Sequence, residues 1–348
     1  MNRVVVGGLA LVMLPAAASA QPQPRTEQVQ VERIVIDARV VDDDGEPLSG
    51  LSADDFAVEI GGVAVEVASA QWIGGGAPPD APLPSTPIGG VFEPARGGRL
   101  MVFVVQRSLY ADRALGLLKV LQDSERLLRG LTPADRVAVV SFDRHLSVWL
   151  DFSADFDRVE EILTDEVLFS DPGPVAPGSE PSLFPALAEE VSRRTYRVEE
   201  ALQLLGEALA PLPGAKSVVL VGYGFGEFTL TLGIPGARVD QRYEAARAAL
   251  ADARAAVFSL DATAVDYHSF EHGLQVVAED TGGFYARTHL VSRQALDRVA
   301  GALRGHYVLF TSVPPLAPDV HDIDVRLVAS DADVFARAVY DNRPVDEP

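Results

Sequence analysis

Strands and helices alternate along residues 99–304, and this alternation constrains the fold more than any other feature of the sequence. Each strand is a short apolar run, and each helix carries apolar residues three or four positions apart. Such alternation is typical of a mainly parallel sheet with helices on both faces. We therefore predict an α/β core with a mainly parallel sheet. The predicted strands are 100–105, 136–142, 145–150, 217–221, 256–260 and 283–286, and the predicted helices are 111–129, 154–164, 183–210, 238–254, 269–279 and 291–304.

β patterns flank this core on both sides. The N-terminal pattern alternates apolar with polar residues, as at Ile34, Ile36 and Ala38, and the same kind of pattern returns after the last predicted helix. Because neither segment alone can bury much apolar surface, we predict that the two pack together as one small β domain beside the core. The predicted boundaries are 31–73 for the N-terminal β segment, 74–98 for a linker rich in glycine and proline, 99–304 for the α/β domain, 305–341 for the C-terminal strands and 342–348 for a tail.

The first twenty residues have the three parts of a secretory signal peptide. Arg3 is the charged start, residues 4–14 are the apolar core, and Ala18-Ser19-Ala20 is a cleavage motif of small residues. We predict cleavage after Ala20, a disordered stretch over 21–30, and export to the periplasm or the extracellular space. The chain has no cysteine, which excludes a disulfide and a lipid attached to cysteine.

The charge of the chain excludes one class of partner. There are 29 Lys and Arg residues against 50 Asp and Glu residues, so the formal net charge is −21 at pH 7. Nucleic acids and anionic lipid surfaces are bound by clustered basic residues, and such a chain repels both. No stretch after the signal peptide is apolar enough to span a membrane, so we predict no membrane span.

Five short motifs follow one another along the chain. They are VDDDGEPLSGLSADDF at 41–56, PADRVAVVSF at 133–142, LPGAKSVVL at 212–220, TGG at 281–283 and HYVL at 306–309. In this order they resemble a von Willebrand factor A domain, and more narrowly the bacterial exported proteins of the "VWFA-related" group. The resemblance implies that the sheet of the core is Rossmann-like and doubly wound. The resemblance covers nearly the whole mature chain and implies binding at the carboxyl ends of the strands, where open α/β sheets hold their ligands.

The resemblance also implies a metal-ion-dependent adhesion site, from which this sequence departs. In the family, a D-x-S-x-S motif, a Thr and a later Asp hold Mg²⁺ or a similar ion, and the partner supplies a carboxylate. Both family carboxylates are missing here, and a hard divalent ion needs charged oxygen ligands. We therefore predict no metal and no cofactor at these positions. The five family positions fall on Gln106, Ser108, Tyr110, Ser182 and Tyr223.

Aromatic residues and arginine near these positions suggest a protein interface, because such residues are frequent anchors of interfaces. We predict an exported, non-enzymatic module that binds another protein without a metal ion. An alternative remains open, in which the rings only fill the space of the missing ion. Phe228 is expected near the same edge. The predicted binding rim is Gln106, Arg107, Ser108, Tyr110, Ser182, Tyr223 and Phe225.

Two further functions are open at this stage. His268, Glu271 and His272 fit the H-x-x-E-H pattern of some zinc proteases, with Asp261 as a possible third ligand. This pattern would make the chain a zinc-dependent hydrolase, although short motifs of this kind also arise by chance at solvated helix ends. The other alternative is a purely structural envelope protein.

Overall fold

The computed structural model describes residues 33–74, 98–175, 181–231, 234–239, 241–265 and 268–343. The predicted signal peptide, the disordered stretch 21–30, nearly all of the linker 74–98 and the last five residues of the tail lie outside these ranges. No helix of the described residues is long and apolar enough to cross a membrane.

The strands and helices are numbered along the chain. The strands are β1 (Arg33–Val41), β2 (Phe56–Ile60), β3 (Val63–Val65), β4 (Val67–Gly74), β5 (Leu100–Gln106), β6 (Arg136–Phe142), β7 (Leu146–Ser153), β8 (Lys216–Gly222), β9 (Glu227–Thr231), β10 (Ile234–Arg238), β11 (Ala255–Asp261), β12 (Tyr285–Arg287), β13 (Gly305–Ser312), β14 (Val320–Leu327), β15 (Asp333–Ala336) and β16 (Val339–Asp341). The helices are α1 (Ala111–Gln122), α2 (Glu125–Leu128), α3 (Phe156–Glu161), α4 (Glu189–Ser192), α5 (Val198–Leu209), α6 (Tyr243–Asp252), α7 (Glu271–Thr281) and α8 (Thr288–Leu303). A π-helical turn, Ile162–Glu166, continues α3, and a 3₁₀ turn, Ala53–Asp55, precedes β2.

A six-stranded sheet forms the centre of the molecule. Its order is β12-β11-β8-β5-β6-β7, and all pairs are parallel except β6 with β7. Numbered within the core, this is the doubly wound order 6-5-4-1-2-3, whose direction of winding changes between β5 and β8. The predicted fold class is confirmed, and so is the predicted edge strand at 145–150, which is the antiparallel β7.

Both faces of the central sheet are covered, as the unbroken apolar run of β5 requires. Alternate residues of β5 enter opposite clusters. Phe103 packs on one face with side chains of α1 and α8, while Val102 and Val104 pack on the other with side chains of α5, α6 and α7. Burying each of these side chains contributes about 2 kcal/mol to stability. The central strands, whose carboxyl ends carry the predicted site, are therefore held firmly in place.

Two four-stranded sheets are built from both ends of the chain. One has the order β15-β1-β13-β4 and the other β16-β14-β2-β3. In β1 the even-numbered residues, such as Ile36 and Ala38, point into an apolar cluster shared with β2, β13 and β14. The odd-numbered residues face the other way, and Val41 joins the apolar cluster of the α/β core. These sheets therefore contact the core through one face of β1.

Two predicted helices are interrupted in the structure. The helix predicted at 111–129 is divided after Gln122, where the buried Ser124 hydroxyl donates to the Leu121 carbonyl over 2.6 Å. The helix predicted at 183–210 is divided into the short α4 and the longer α5, and it is interrupted between them, where the Thr195 hydroxyl accepts a hydrogen bond from the Leu146 amide of β7. Such side-chain bonds to the backbone compete with helix formation. The segment after β8 contains two antiparallel strands, β9 and β10, which the sequence analysis did not predict.

Candidate functional site

Gln106 stands at the carboxyl end of β5, where the family pattern has its first Asp. The side chain is 1% exposed and lies against the end of β8. Its Oε1 accepts hydrogen bonds from the Tyr223 amide at 2.8 Å and the Gly224 amide at 3.2 Å, and its Nε2 donates to the Gly224 carbonyl at 3.2 Å. A Cβ on Gly222 would lie 2.0 Å from Oε1, so only glycine allows this approach. Gln106 therefore joins the two central strands and has little capacity left for a ligand.

Tyr223 occupies the position of the family's last Asp. The Arg113 guanidinium lies over the Tyr223 ring, 4.1 Å from the ring centroid, and the Tyr223 hydroxyl donates to the Arg107 carbonyl at 3.2 Å. Burial raises the pKa of Tyr223, so the phenol stays neutral. The same guanidinium lies 5.8 Å from the ring centroid of Tyr110, which begins α1. A protein cation thus lies between two aromatic rings, in a cation–π arrangement.

Arg107 links the loops around this group. Its Nη2 donates to the Ser170 carbonyl at 2.7 Å, and its guanidinium lies 5.4 Å from the Trp149 ring centroid. Its Nη1 is 3.8 Å from a carboxylate oxygen of Asp143, which follows β6. One arginine therefore connects the segments that follow β5, β6 and the π-helical turn.

The two serines at family positions, Ser108 and Ser182, bond to different parts of the chain. The Ser108 hydroxyl accepts a long hydrogen bond, 3.4 Å, from the Tyr110 amide. The Ser182 hydroxyl donates to Asp151 at 2.5 Å, and Asp151 also accepts from the Leu183 amide at 2.8 Å. Asp151 is 2% exposed and holds the start of the segment that leads to α4. Ser182 is thus committed to a structural bond.

These residues do not fit the divalent ion that the resemblance implies. A site for Mg²⁺ needs several oxygen ligands, including one or two carboxylates, converging on one point. Here Gln106 is bonded to backbone groups, Ser182 is bonded to Asp151, and Tyr223 carries a guanidinium against its ring. The positive charge of Arg113 would also repel a second cation.

The predicted rim is only partly a surface. Gln106 is buried, and Phe225 is 5% exposed and packs 6.4 Å from the Tyr243 ring, so the prediction that these two side chains face a partner is wrong. Phe225 points inward because α7 passes close to it. A Cβ added to Gly273 of α7 would lie only 2.5 Å from the Phe225 carbonyl oxygen. The backbone of Phe228 lies in β9 and pairs with that of Ala237 in β10.

Two exposed apolar residues at the same edge, Leu109 and Phe169, were missed by the sequence analysis, and Tyr110 of the predicted rim is exposed beside them. Leu109, Tyr110 and Phe169 are 76%, 72% and 64% exposed, and Phe169 precedes the Ser170 carbonyl that Arg107 binds. Arg113 was also missed, because its ring contacts depend on how α1 docks. We define the carboxyl-edge surface as Arg107, Leu109, Tyr110, Arg113, Phe169 and Tyr223.

A second polar cluster lies at the carboxyl end of β11. Asp261, His268 and Glu271 each offer a ligand atom within 4.8 Å of the others. His272 is exposed, and His268 precedes α7, so the H-x-x-E-H residues do not share a helical face and the zinc-protease geometry is wrong. A carboxylate oxygen of Asp261, the possible third ligand, lies 2.8 Å from Nε2 of His268.

Existing bonds already use the carboxylates of this cluster. The Tyr285 hydroxyl is 2.9 Å from Asp261 and 3.2 Å from Glu271, and Arg287 donates two hydrogen bonds to Glu271 at 2.8 and 3.0 Å. The His268 ring and the Thr263 amide also bond to Asp261. A metal ion would have to displace these partners. The arrangement instead fixes α7 and β12 against the end of β11.

Comparisons with known proteins find distant similarity to solved structures. No family model and no curated protein matches the sequence. Among solved structures, BatB from Bacteroides thetaiotaomicron has 17% identity and a TM-score of 0.38 over 59% of this chain and 98% of its own. A von Willebrand factor type A protein from Catenulispora acidiphila has 10% identity and a TM-score of 0.39 over 85% and 74%. The vWF domain of the type V pili tip protein Mfa5 from Porphyromonas gingivalis has 12% identity and a TM-score of 0.36 over 59% and 94%.

At these TM-scores and identities the solved structures carry no argument about function. The fold follows from the chain itself, through a doubly wound order of strands, a single antiparallel edge strand and a switch of direction between β5 and β8. The motifs at 133–142 and 212–220 occupy β6 and the start of β8, two of the strands that define this order. The α/β core of this chain therefore has the fold of a von Willebrand factor A domain.

Proposed function

We propose that the chain is an exported, non-enzymatic module that binds another protein through the carboxyl-edge surface without a metal ion. The observation that carries this proposal is the exposure of Leu109, Tyr110 and Phe169 on loops at the edge where such sheets hold ligands. Exposed apolar side chains grouped beside arginine and tyrosine are typical of interface centres.

The surroundings of these residues support the same function. Arg107 connects the loop that contains Leu109 and Tyr110 with the segment that contains Phe169, so the loops that present the exposed side chains are bonded to one another. Arg113 has two aromatic neighbours and forms no ion pair with a carboxylate of the described residues. Its N–H groups are suited to an acidic side chain of the partner. A rigid support reduces the entropy that a partner must remove on binding.

The test compares variants of the carboxyl-edge surface in binding. The mature protein, carrying Leu109→Ser and Tyr110→Ala, is immobilised beside the wild type and presented with envelope and culture-medium proteins of its source cells. Val328→Ser is the matched control, because Val328 is 66% exposed and lies after β14. We expect a partner whose affinity falls about 10-fold or more in the double variant and is unchanged in the control.

Equal capture by the wild type and the double variant would contradict the proposal. Loss of binding in Val328→Ser alone would assign the interface to the flanking sheets instead. Thermal unfolding of each variant ensures that a lost affinity is not a lost fold. Export is tested separately, by mass spectrometry of the protein recovered outside the cytoplasm, for which we expect an N-terminus at Gln21.

A further inference from the structure

A charged cleft lies where the flanking sheets meet the α/β core. It is formed by the odd-numbered face of β1, by α6 and the turn into β11, by the end of α7 and by Arg337 after β15. Its empty volume, including the side open to solvent, is about 380 Å³. The residues that line it are Val35, Asp37, Arg39, Leu250, Ala251, Arg254, Ala255, Ala256, Asp280, Thr281 and Arg337.

Three of the lining residues are arginines, which is unusual in a chain with a net charge of −21. Arg254 is paired with Asp37, to which its Nε donates at 2.9 Å. Arg254 is held there with a φ of 51°, a left-handed conformation that a non-glycine residue adopts rarely. This pair leaves the Asp37 carboxylate largely occupied, and His306 approaches it as well, at 3.6 Å.

The other two arginines have no such partner. Arg39 is 3% exposed, and its polar contact is a long hydrogen bond of 3.4 Å to the Ser217 hydroxyl, with its guanidinium 5.4 Å from the Phe258 ring centroid. Arg337 donates from Nη2 to the Val35 carbonyl at 3.1 Å, while its Nε is buried with no hydrogen-bond partner. Neither forms an ion pair with a carboxylate of the described residues.

Asp280, the second carboxylate of the cleft, already accepts a hydrogen bond from the Tyr243 hydroxyl at 2.8 Å, and burial raises its pKa. Lys216, 2% exposed, adds a further cation near Arg254 and Asp37, and burial lowers its pKa to about 8. Burial lowers the pKa of Arg39 to about 10, so at neutral pH its guanidinium stays charged.

Buried charges without partners are costly, and the usual remedy is an opposite charge with hydrogen-bond acceptors. We propose that this cleft binds a small oxyanion between Arg39 and Arg337. The planar N–H groups of arginine match the oxygens of phosphate, sulfate or a carboxylate, and a buried unpaired Nε is a donor that such an oxygen would satisfy. The bound ion would contact both the flanking strands and the core.

Thermal unfolding with added anions tests this site in the full mature protein. Phosphate, sulfate and acetate are each compared at about 20 mM with sodium chloride of the same ionic strength, because a ligand of the folded state raises Tm whereas general screening is common to all. We expect at least one oxyanion to raise Tm by about 3 °C over chloride. A rise with phosphate and sulfate indicates a tetrahedral ion, and a rise with acetate alone indicates a carboxylate.

The variant Arg337→Gln removes the charge and the unpaired Nε. Arg326→Gln is the matched control, since Arg326 is an exposed arginine paired with Glu59 on the flanking sheets. We expect the rise in Tm to disappear in Arg337→Gln and to persist in Arg326→Gln. Isothermal titration of the wild type with phosphate, sulfate and acetate gives a reading that needs no variant. The proposal is overturned if no oxyanion binds saturably or exceeds chloride, or if Arg337→Gln keeps the full rise.

Discussion

At the residue scale, Gln106 shows how a metal position becomes a structural one. Its amide accepts from two backbone N–H groups and donates to one carbonyl, a set that a carboxylate cannot reproduce. We predict that Gln106→Glu destabilises the fold by about 2 kcal/mol, because one carboxylate oxygen then faces the Gly224 carbonyl. Urea unfolding at pH 7 measures this cost, and Gln122→Glu, the same change at an exposed site, is expected to cost little.

Added Mg²⁺ tests whether Gln106→Glu is destabilised by the mismatch with the Gly224 carbonyl or by a new metal site that lacks its ion. If the new carboxylate completed a metal site, Mg²⁺ would restore the stability of Gln106→Glu relative to EDTA. We expect no restoration, because Arg113 and the ring of Tyr223 occupy the neighbouring space. A clear rise with Mg²⁺ would show that the remaining hydroxyls suffice as ligands.

Asp135 provides a pH-dependent prediction at the same scale. It is 2% exposed and accepts hydrogen bonds from the Arg99 amide at 2.7 Å and the Thr132 amide at 2.6 Å, besides a salt bridge to the Arg99 guanidinium. Burial raises the pKa of Asp135, but these bonds outweigh it and hold the pKa below the ordinary value of 3.8. Its stabilisation is therefore complete above that pH and is lost as the pH falls further.

We predict that Asp135→Asn costs about 3 kcal/mol at pH 7, because it removes the buried carboxylate that accepts from the Arg99 and Thr132 amides and pairs with the Arg99 guanidinium. The difference between wild type and variant should narrow as the pH falls below about 4, because the unfolded wild-type chain then gains a proton that the folded state, with its lowered pKa, does not. Urea unfolding between neutral and acidic pH measures both effects. Asp333→Asn, at an exposed ion pair with Arg298, should change stability by less than about 0.5 kcal/mol. A constant difference across the pH range would contradict the assignment.

The candidate site could be predicted from sequence in its location but not in its composition. The apolar run of β5 followed by polar residues located the edge, and the missing carboxylates followed from the motif at Gln106 and Tyr223. Which side chains are exposed did not follow, since Phe225 turns inward beneath α7. Arg113 meets Tyr223 only after α1 has docked, and no local pattern encodes that contact.

At the element scale, helix α1 depends on a close approach to the sheet. A Cβ on Gly116 would lie 1.7 Å from the Ala262 carbonyl oxygen, just beyond the end of β11. Alanine is a better helix former than glycine by about 1 kcal/mol, yet the clash would force α1 away from the sheet. We predict that Gly116→Ala has a net cost of about 2 kcal/mol in denaturant unfolding.

Gly130→Ala is the control for this prediction, because a Cβ there meets nothing within 4 Å. It should leave stability within about 0.5 kcal/mol of the wild type. The displaced helix carries Arg113, so Gly116→Ala should also weaken any partner of the carboxyl-edge surface. Stability of Gly116→Ala equal to that of Gly130→Ala would show that α1 packs less closely than the structure indicates.

Helices and strands were predictable where hydrophobic periodicity was strong. The prediction failed where hydrogen bonds between residues distant in sequence determine the local structure. The buried strands β5, β6, β8 and β11 coincide with apolar runs in the sequence. The break before α5 depends on a bond between Thr195 and Leu146, which are distant in sequence. The hairpin β9–β10 was hidden by glycine and proline residues, which favour turns in local patterns.

At the scale of the whole molecule, the flanking sheets and the α/β core share several contacts. Phe335 of β15 lies 5.1 Å from Phe284 of the core, ring to ring, and Val41 at the end of β1 is buried in the core's apolar cluster. The ion pair between Asp37 and Arg254 crosses the same boundary. The described residues accordingly belong to one compact unit by their contacts. We therefore expect the two parts to unfold in one cooperative transition.

The two tryptophans of the chain report on the two parts separately. Trp72 lies in β4, 4.9 Å from the ring of Tyr307, whereas Trp149 lies in β7 and donates to the Ser141 hydroxyl at 2.8 Å. Trp149→Phe leaves only the reporter in the flanking sheets, and Trp72→Phe leaves only the reporter in the core. Each single-tryptophan variant can then be unfolded in urea while fluorescence is followed.

Tyr307→Phe is the change to introduce into both variants. The Tyr307 hydroxyl is buried, donates to the Leu48 carbonyl at 3.0 Å and accepts from the Leu51 amide at 3.0 Å, so removing it leaves two backbone groups without a partner. We predict a loss of about 2 kcal/mol that appears equally in both fluorescence signals, because a cooperative unit transmits a local loss to every reporter. If only the Trp72 signal shifts, the flanking sheets unfold independently, and the contacts at β1 and β15 are too weak to couple them to the core.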